Sequence, residues 1–249
     1  MKLDILGVKI DNFSLIEVLN KILGFLSSTG QHQIATVNPE FIMAAQRDDE
    51  FRNILNKCDL NVADGFGLVL ASRRQGQKLV QRITGVDLIW EICRIAGKQG
   101  KSVYFLGAER RGAAEATAAK IKQKISGLKI VGAENGFRHR HRYFDDAKLV
   151  DMVNRRQPDI LFVAFGQVKQ EKWIYYNLPK MPSVKLAMGV GGSFDYISGK
   201  VKRAPKFMRS MGLEWLYRLI RQPWRFPRII TAVVKFGWRV LKMKKSDEV

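Results

Sequence analysis

The sequence predicts an α/β fold in which a parallel sheet carries helices on both faces, followed by a basic, helical C-terminal appendage. Short apolar runs alternate with helical patterns from the start to about residue 195, which is the rhythm of β-α-β units. The run Asp159–Phe165 is almost wholly apolar, as in a strand buried on both faces. Near residue 200 the composition shifts to Lys, Arg, Trp and Phe. We therefore divide the chain into a Rossmann-like core, residues 1–199, and an appendage, residues 200–249.

In the first half of the core, the sequence predicts three strands and two helices. The strands are Gln33–Val37, Leu60–Ala63 and Ser102–Leu106. Asn38-Pro39 opens a helix, because Asn is a favoured cap and Pro is favoured at the first helical position. Val86–Gly97 has helical spacing of its apolar residues.

The second half continues the same alternation. Gly107-Ala108 leads into an Ala-rich helix, and a later helix stops before Pro158. The predicted helices are Arg111–Ile125, Asp145–Arg156 and Val168–Asn177, and the predicted strands are Lys129–Ala133, Asp159–Phe165 and Val184–Val190.

Composition narrows the classes of partner. The 249 residues carry 43 Lys and Arg against 23 Asp and Glu, a formal net charge of +20, so the chain is expected to bind anions: nucleic acid, acidic phospholipid or phosphorylated substrates. Cys58 and Cys93 have no metal-ligand spacing, and we expect both to be reduced core residues of a cytoplasmic protein. The amino terminus lacks the apolar stretch of a signal peptide, and no window predicts a membrane span.

The appendage concentrates the positive charge. From Lys200 onward it holds 14 Lys and Arg against three acidic residues, interleaved with Trp and Phe. Arg228–Lys245 has the pattern of a basic amphipathic helix, which is typical of binding at a membrane interface. The alternative is a helix that packs on the core and leaves its basic face in water. Nucleic-acid binding is disfavoured because no DNA- or RNA-binding motif accompanies the charge.

Polar residues at predicted strand ends are the candidates for chemistry, since parallel sheets bind ligands at the carboxyl ends of their strands. Asp64 follows a strand and precedes Gly65, so it can serve as a general base or as a helix cap. Thr36 and Asn38 can cap a helix or bind a sugar or diphosphate. Arg82 precedes a predicted helix start, where a phosphate can bind, although an isolated Arg is often only solvated.

Several motifs are incomplete or absent. The glycines at 189–192 do not complete the dinucleotide fingerprint, because Phe194 occupies its third glycine position, so NAD binding is rejected. No D-x-D and no Walker motif occurs, which argues against a metal-dependent nucleotide-sugar site. His139-Arg140-His141-Arg142 is interpreted as an exposed basic loop. We predict no metal and no cofactor.

Together these segments resemble the WecG/TagA/CpsF family of glycosyltransferases. Their order matches the family over roughly residues 1–230. The matching segments are Thr36-Val37-Asn38-Pro39-Glu40, Asn61-Val62-Ala63-Asp64-Gly65, Arg82-Ile83-Thr84-Gly85-Val86-Asp87, Phe105-Leu106-Gly107-Ala108, Pro158-Asp159-Ile160, Lys169-Gln170-Glu171, Gly189–Asp195, Arg203-Ala204-Pro205 and Gly212-Leu213-Glu214-Trp215-Leu216-Tyr217-Arg218-Leu219.

The resemblance implies an inverting, metal-independent transfer from a UDP-sugar, such as UDP-N-acetylmannosamine, to N-acetylglucosamine on undecaprenyl diphosphate at the inner face of the cell membrane. By position Asp64 matches the proposed base. The residues that match donor- or acceptor-site positions are Thr36, Asn38, Arg82 and Gln170. Asp195 matches an acidic residue near the donor pocket. The residues that match the family's appendage arginines, which are expected to close over the site, are Arg218, Arg225 and Arg228. One departure is Val168, where the family commonly has Pro.

Two other hypotheses stay open from the sequence. One is a non-catalytic peripheral membrane module with a degenerate nucleotide-binding core, for which Asp64 would be dispensable. The other is an RNA-binding protein, whose affinity would depend steeply on salt. An exposed apolar face would also favour a homo-oligomer in the absence of lipid.

Overall fold

The computed structural model describes residues 2–108, 110–135 and 146–243, which contain a six-stranded parallel sheet and a separate antiparallel hairpin. The hairpin strands are β1 (Lys2–Ile5) and β2 (Val8–Asp11). The other strands are β3 (His32–Val37), β4 (Leu60–Ala63), β5 (Ser102–Leu106), β6 (Lys129–Glu134), β7 (Ile160–Val163) and β8 (Leu186–Gly189). The sheet order is β4-β3-β8-β7-β5-β6.

The helices of the core follow and separate these strands. They are α1 (Leu15–Ser27), α2 (Pro39–Ala45), α3 (Asp49–Lys57), α4 (Phe66–Arg74), α5 (Gly85–Gln99), α6 (Ala113–Lys124), α7 (Asp146–Arg156), α8 (Lys169–Asn177) and α9 (Ser193–Ser198). Helices therefore flank the sheet, and the predicted α/β fold class is confirmed.

Successive residues of one strand enter different cores, as the period of two in a strand requires. In β5, Val103 and Phe105 pack in the core beneath α1, α5 and α6, whereas Tyr104 and Leu106 pack in the core beneath α7 and α8. Both faces of the sheet are thus buried, which explains why these strands read as apolar runs without alternation. Cys58 and Cys93 are free and buried, as expected.

All six predicted strands of the sheet are present, with small shifts at their ends. β7 stops at Val163, two residues before the predicted end, because the chain there turns away to line a cavity. The helix predicted from Val168 begins at Lys169, since Val168 has a φ of +70°. The hairpin and the core helices α1, α3, α4 and α9 were not among the predicted elements.

The carboxyl-terminal residues form short helices that contact the core. These are α10 (Lys206–Ser210), α11 (Glu214–Arg221), and a helical run of α12 (Phe226–Ile230), one π-helical turn (Thr231–Lys235) and α13 (Phe236–Leu241). We call residues 226–241 the C-terminal helix. The predicted helix Arg228–Lys245 thus begins two residues earlier, and its last two residues lie outside the described part of the chain.

The C-terminal helix has one packed side and one exposed side. Phe236 and Val240 are buried against α2 and α4, whereas Trp238 and Leu241 are 58% and 69% exposed. The helix thus both packs on the core and exposes apolar side chains, and the division of the chain at residue 199 remains a prediction. Within the described residues, no helix is both long and apolar enough to cross a bilayer.

Candidate active site

A cavity of about 310 Å³ opens at the carboxyl ends of the central strands. Its walls come from the ends of β3, β4, β7 and β8 and from the chain beyond residue 200. This is the edge where open parallel sheets bind ligands. The predicted site residues that line it are Thr36, Asn38, Asp64, Gln170, Asp195, Arg218, Arg225 and Arg228.

Asp64 is fixed at the end of β4 by two hydrogen bonds. Its backbone N–H donates to the carbonyl of Val37, at 2.7 Å, and its Oδ2 accepts from the backbone N–H of Gly85, at 3.2 Å. Gly65, not Asp64, is the cap residue of α4, and its φ of +129° is open only to glycine. Asp64 is therefore not the cap residue of α4, which was one of its two predicted roles.

The environment of Asp64 disfavours its charged form. Burial raises the pKa of the carboxyl to about 6, even though the hydrogen bond from Gly85 and the positive charges of Arg82 and Arg218 act in the opposite direction. A carboxyl group with a pKa near 6 is ionised at neutral pH and remains a stronger base than an ordinary aspartate. This is the property that abstraction of a proton from a hydroxyl requires.

Thr36 and Asn38 sit beside Asp64 and also hold the backbone. The Asn38 side chain caps α2 by accepting from the N–H groups of Glu40, at 2.9 Å, and Phe41, at 3.1 Å. The Thr36 hydroxyl donates to the carbonyl of Gly189, at 3.4 Å. Both residues line the cavity, so the cap function that the sequence predicts for Asn38 coexists with a place in the site.

Gln170 fastens the glycine loop that follows β8. Its Oε1 accepts from the Gly191 N–H, at 2.9 Å, and its Nε2 donates to Oε1 of Glu171, at 2.6 Å. Glu171 is fully buried, and its other oxygen accepts from the Val168 N–H, at 2.9 Å. Burial raises the pKa of Glu171 to about 8. The Lys169-Gln170-Glu171 segment therefore joins two walls of the cavity.

Val168 shapes this wall in a way that proline cannot. A proline ring fixes φ near −65° and removes the N–H, whereas Val168 has a φ of +70° and donates to Glu171. The departure from the family's usual residue therefore coincides with a hydrogen bond that proline cannot donate.

Arg82 is the one predicted site residue that does not line the cavity. Its Nη2 donates to the carbonyl of Arg209, at 3.4 Å, so it joins the helix α10 region to the core. It still acts on Asp64 through its charge. Asp195 is buried in the cavity wall, and its backbone carbonyl accepts from the Val201 N–H, at 2.9 Å.

The arginines of the appendage reach the cavity. Arg228 donates through Nε, at 2.9 Å, and Nη2, at 2.7 Å, to one carboxylate oxygen of Glu40. The guanidinium of Arg218 lies over the ring of Tyr196, 5.0 Å from its centroid. Arg225 lines the cavity between them in sequence. The structure thus brings the predicted arginines to the same cavity as Asp64.

Arg203 is a cavity residue that the sequence analysis did not single out. It donates to Asp87 Oδ1, at 2.8 Å, and to the Thr84 hydroxyl, at 2.9 Å, and so ties the chain after α9 to the start of α5. Burial alone would raise the pKa of Asp87, but the hydrogen bond from Arg203 holds that pKa below its usual range. All three residues lie in matched family segments, but their pairing is visible only in the fold. Glu214 and Tyr196 likewise line the cavity.

No group of three or more His, Cys, Asp or Glu residues is arranged to hold a metal ion within the described ranges. The segment His139–Arg142, for which the sequence predicts an exposed basic loop, lies outside those ranges. The residues that line the cavity include a carboxylate of raised pKa, several arginines and the start of α5. This arrangement can take a proton from a hydroxyl and stabilise negative charge that develops on a phosphate.

Comparison with known proteins shows that nearly the whole chain matches one family. Residues 3–248 match the model of the glycosyl transferase WecG/TagA/CpsF family. The chain is 37% identical over 216 residues to the N-acetylglucosaminyldiphosphoundecaprenol N-acetyl-beta-D-mannosaminyltransferase of Bacillus subtilis (strain 168), covering 86% of this chain and 81% of the relative. It is 34% identical over 249 residues to the protein of the same name from Staphylococcus aureus (strain MRSA252), covering 98% of this chain and 94% of the relative.

Proposed function

This chain belongs to the WecG/TagA/CpsF family of glycosyltransferases, and we propose that it moves N-acetylmannosamine or a related sugar from UDP to N-acetylglucosamine on a polyprenyl diphosphate. It is a hexosyltransferase, the class of enzyme that its relatives' names state, and we infer that its product is used in cell-wall polymer synthesis.

The observation that carries the mechanism is the environment of Asp64. Its carboxyl group lines the cavity, accepts a hydrogen bond from the Gly85 N–H and has a pKa raised by burial to about 6. In the proposed reaction it takes the proton of the acceptor hydroxyl as that oxygen forms its bond to the donor's anomeric carbon. The bond from that carbon to the UDP oxygen breaks, and its electron pair leaves with UDP. Attack opposite the leaving group inverts the anomeric centre.

The departing diphosphate needs positive charge, and we propose that the appendage arginines supply it. Arg218, Arg225 and Arg228 line the same cavity as Asp64. Guanidinium groups match the geometry of phosphate oxygens, and fixed charges in a partly closed site act more strongly than in water. We propose that these arginines bind the diphosphate groups of donor or acceptor, with Thr36, Asn38 and Gln170 contacting or shaping the sugar site and Asp195 the donor pocket.

The lipid acceptor requires the enzyme to work at a membrane surface. Large apolar side chains that are exposed recur along residues 206–241: Phe207, Met211, Ile220, Trp224, Phe226, Trp238 and Leu241. Basic residues alternate with them, and Lys242 lies over the ring of Trp238, 3.5 Å from its centroid. Aromatic and basic side chains together favour binding to anionic membrane surfaces. We propose peripheral binding at the cytoplasmic face, where nucleotide-sugars are available.

The second candidate is a peripheral membrane module without catalysis. It would retain the exposed aromatic surface but would not need the arrangement around Asp64. The position of Asp64 beside the arginines favours the enzyme. RNA binding has no observation in its favour beyond net charge.

The test is release of UDP by the purified full chain. A panel of UDP-sugars is mixed with N-acetylglucosamine on a lipid diphosphate, with EDTA present and with each substrate omitted in turn. The proposal predicts acceptor-dependent release with one donor or a few related donors, and a product of inverted configuration. Binding of UDP without release from any donor favours the module, and salt-sensitive RNA binding without UDP binding favours the third hypothesis.

A further inference from the structure

The amino-terminal ends of α2 and α4 pack together through a proline and two glycines. Pro39 follows the cavity residue Asn38, and its ring packs on the backbone of Gly65 and Gly67. A Cβ at position 65 would lie 2.9 Å from Cδ of Pro39, and one at position 67 would lie 2.7 Å from its Cγ. We call residues 64–67, which are Asp64, the cap residue Gly65 and the first two residues of α4, the Asp64 loop. Only glycines at 65 and 67 allow this close approach.

The C-terminal helix adds a third component to the same junction. Phe236 is 2% exposed, and a Cβ on Gly67 would lie 3.2 Å from its Cε1 atom. The Phe236 ring therefore rests on the same glycine as Pro39. A further contact comes from the turn before α11, where a Cβ on Gly212 would overlap the ring of Phe66. Residues distant in sequence thus press on the Asp64 loop from two sides.

The helix is also attached to α2 by polar contacts. Arg228 bonds to Glu40, two residues after Asn38, and the Nη1 of Arg239 donates to the Oε1 of Gln46, at 2.9 Å. With Phe236 between them, these contacts run along one side of the C-terminal helix. The other side carries the exposed Trp238 and Leu241. One helix therefore contacts the active-site loops and presents apolar side chains to the outside.

We propose that Phe236 is a positioning residue for the transfer reaction: by packing on Gly67 it holds the Asp64 loop, and with it the Asp64 carboxylate, in place. This inference rests on the proposed function and adds to it a physical link between the membrane-facing helix and the base.

The physical basis is the freedom that glycine gives this loop. Gly65, with its φ of +129°, and Gly67, in the first turn of α4, permit close packing, but they also leave the backbone there freer to move when nothing packs on it. Without the Phe236 ring, Gly67 loses a packing partner, and we expect the hydrogen bond from Gly85 to Asp64 to loosen. A displacement of about 1 Å at a reacting group can cost about a hundredfold in rate.

The first test compares Phe236→Ala with Val234→Ala, a matched change on the same helix at a side chain that is 62% exposed. Both are assayed on a water-soluble, short-chain lipid-diphosphate acceptor without vesicles, so that membrane binding does not enter. We expect Phe236→Ala to lower kcat by about tenfold or more with little change in KM for the donor, and Val234→Ala to match the wild type. Equal kcat in wild type and Phe236→Ala would overturn the proposal.

The second test does not depend on catalysis. Amide hydrogen exchange is followed in the peptides that contain Asp64, whose N–H bonds to Val37, and Gly85, whose N–H bonds to Asp64. Faster exchange in Phe236→Ala, but not in Val234→Ala, supports the inference. An absence of sugar transfer by the wild type would count against the proposed function, but it would not change this result of the exchange experiment. Unchanged exchange overturns the inference.

A reciprocal variant guards against a folding failure of Phe236→Ala. Gly67→Ala places a methyl group against Pro39 and Phe236 without removing any side chain. We expect the same loss of kcat and the same faster exchange at Asp64 and Gly85. A folded Gly67→Ala variant with wild-type kcat and wild-type exchange would contradict the proposal.

Discussion

The Oδ2 of Asp64 accepts a hydrogen bond from the backbone N–H of Gly85, the first residue of helix α5, at 3.2 Å. This bond stabilises the carboxylate of a residue whose burial favours the protonated form. The balance between the two sets the pH range in which Asp64 can act as a base, because only the ionised carboxylate accepts a proton.

The pH dependence of kcat/KM tests this balance. Because the pKa of Asp64 is about 6, kcat/KM is expected to be constant above neutrality and to fall as pH decreases through about 6. Gly85→Pro removes the donor, and proline suits this position because it begins a helix and Thr84 has an extended conformation. The acid limb should then move to higher pH relative to Gly85→Ala. If the acid limb of the kcat/KM profile lies at the same pH in both variants, the hydrogen bond from Gly85 does not lower the pKa of Asp64.

The arginines are tested by replacing them one at a time. Loss of Arg218 or Arg228 to Ala is expected to lower kcat/KM by about a hundredfold, the usual scale for removing one group that stabilises developing charge. Lysine keeps the charge but not the planar fork, so Arg218→Lys should recover only part of the loss. Arg74→Ala, an exposed arginine on α4, is the matched control. Equal losses of kcat/KM on replacing Arg218, Arg228 and Arg74 would indicate a general effect of net charge and would contradict specific roles for Arg218 and Arg228.

Glu171 makes a prediction about stability. Its pKa is raised by burial to about 8 in the folded protein, from 4.5, so the folded state holds the proton more tightly than the unfolded chain does. Stability is therefore lost as pH rises from about 4.5 to about 8. Glu171→Gln should remove this contribution, so that the difference in urea midpoint between variant and wild type grows in the variant's favour from pH 5 to pH 8. Glu115→Gln, on the exposed side of α6, should show no such trend.

Membrane binding is tested on the exposed aromatic residues. Trp224 and Trp238 are 65% and 58% exposed, so their replacement by Ala removes little packing within the protein. We expect the double variant to bind vesicles of anionic phospholipid several-fold more weakly than the wild type, because interfacial affinity scales with buried apolar area. Cosedimentation at fixed salt measures it. Undiminished binding would place the contact elsewhere on the surface.

The sequence predicted best those features that depend on neighbouring residues. The cap formed by Asn38 and the strand Leu60–Ala63 that precedes Asp64 are local patterns, and both are present. The hairpin of β1 and β2 was missed because its turn is Leu6-Gly7, in which both residues have positive φ; leucine gives no signal for such a turn, unlike asparagine or aspartate.

Long-range pairs lay beyond what the sequence could predict. Arg228 and Glu40 are 188 residues apart, and Arg203 and Asp87 are 116 apart. A charge pattern identifies such residues as exposed or basic, but only the fold decides which carboxylate each arginine meets. Arg82 illustrates the same limit, because its match to the family did not predict that its side chain contacts Arg209 instead of the cavity.

The most direct test of the central claim is the turnover of Asp64→Asn beside the wild type, with the donor that the UDP-release panel identifies and its lipid-diphosphate acceptor. Asparagine keeps the size of the side chain and can still accept from Gly85, but it cannot take the acceptor proton. We predict a loss of about a hundredfold or more in kcat, the scale of general base catalysis, with UDP binding retained. A kcat close to that of the wild type would contradict the assignment of Asp64 as the base.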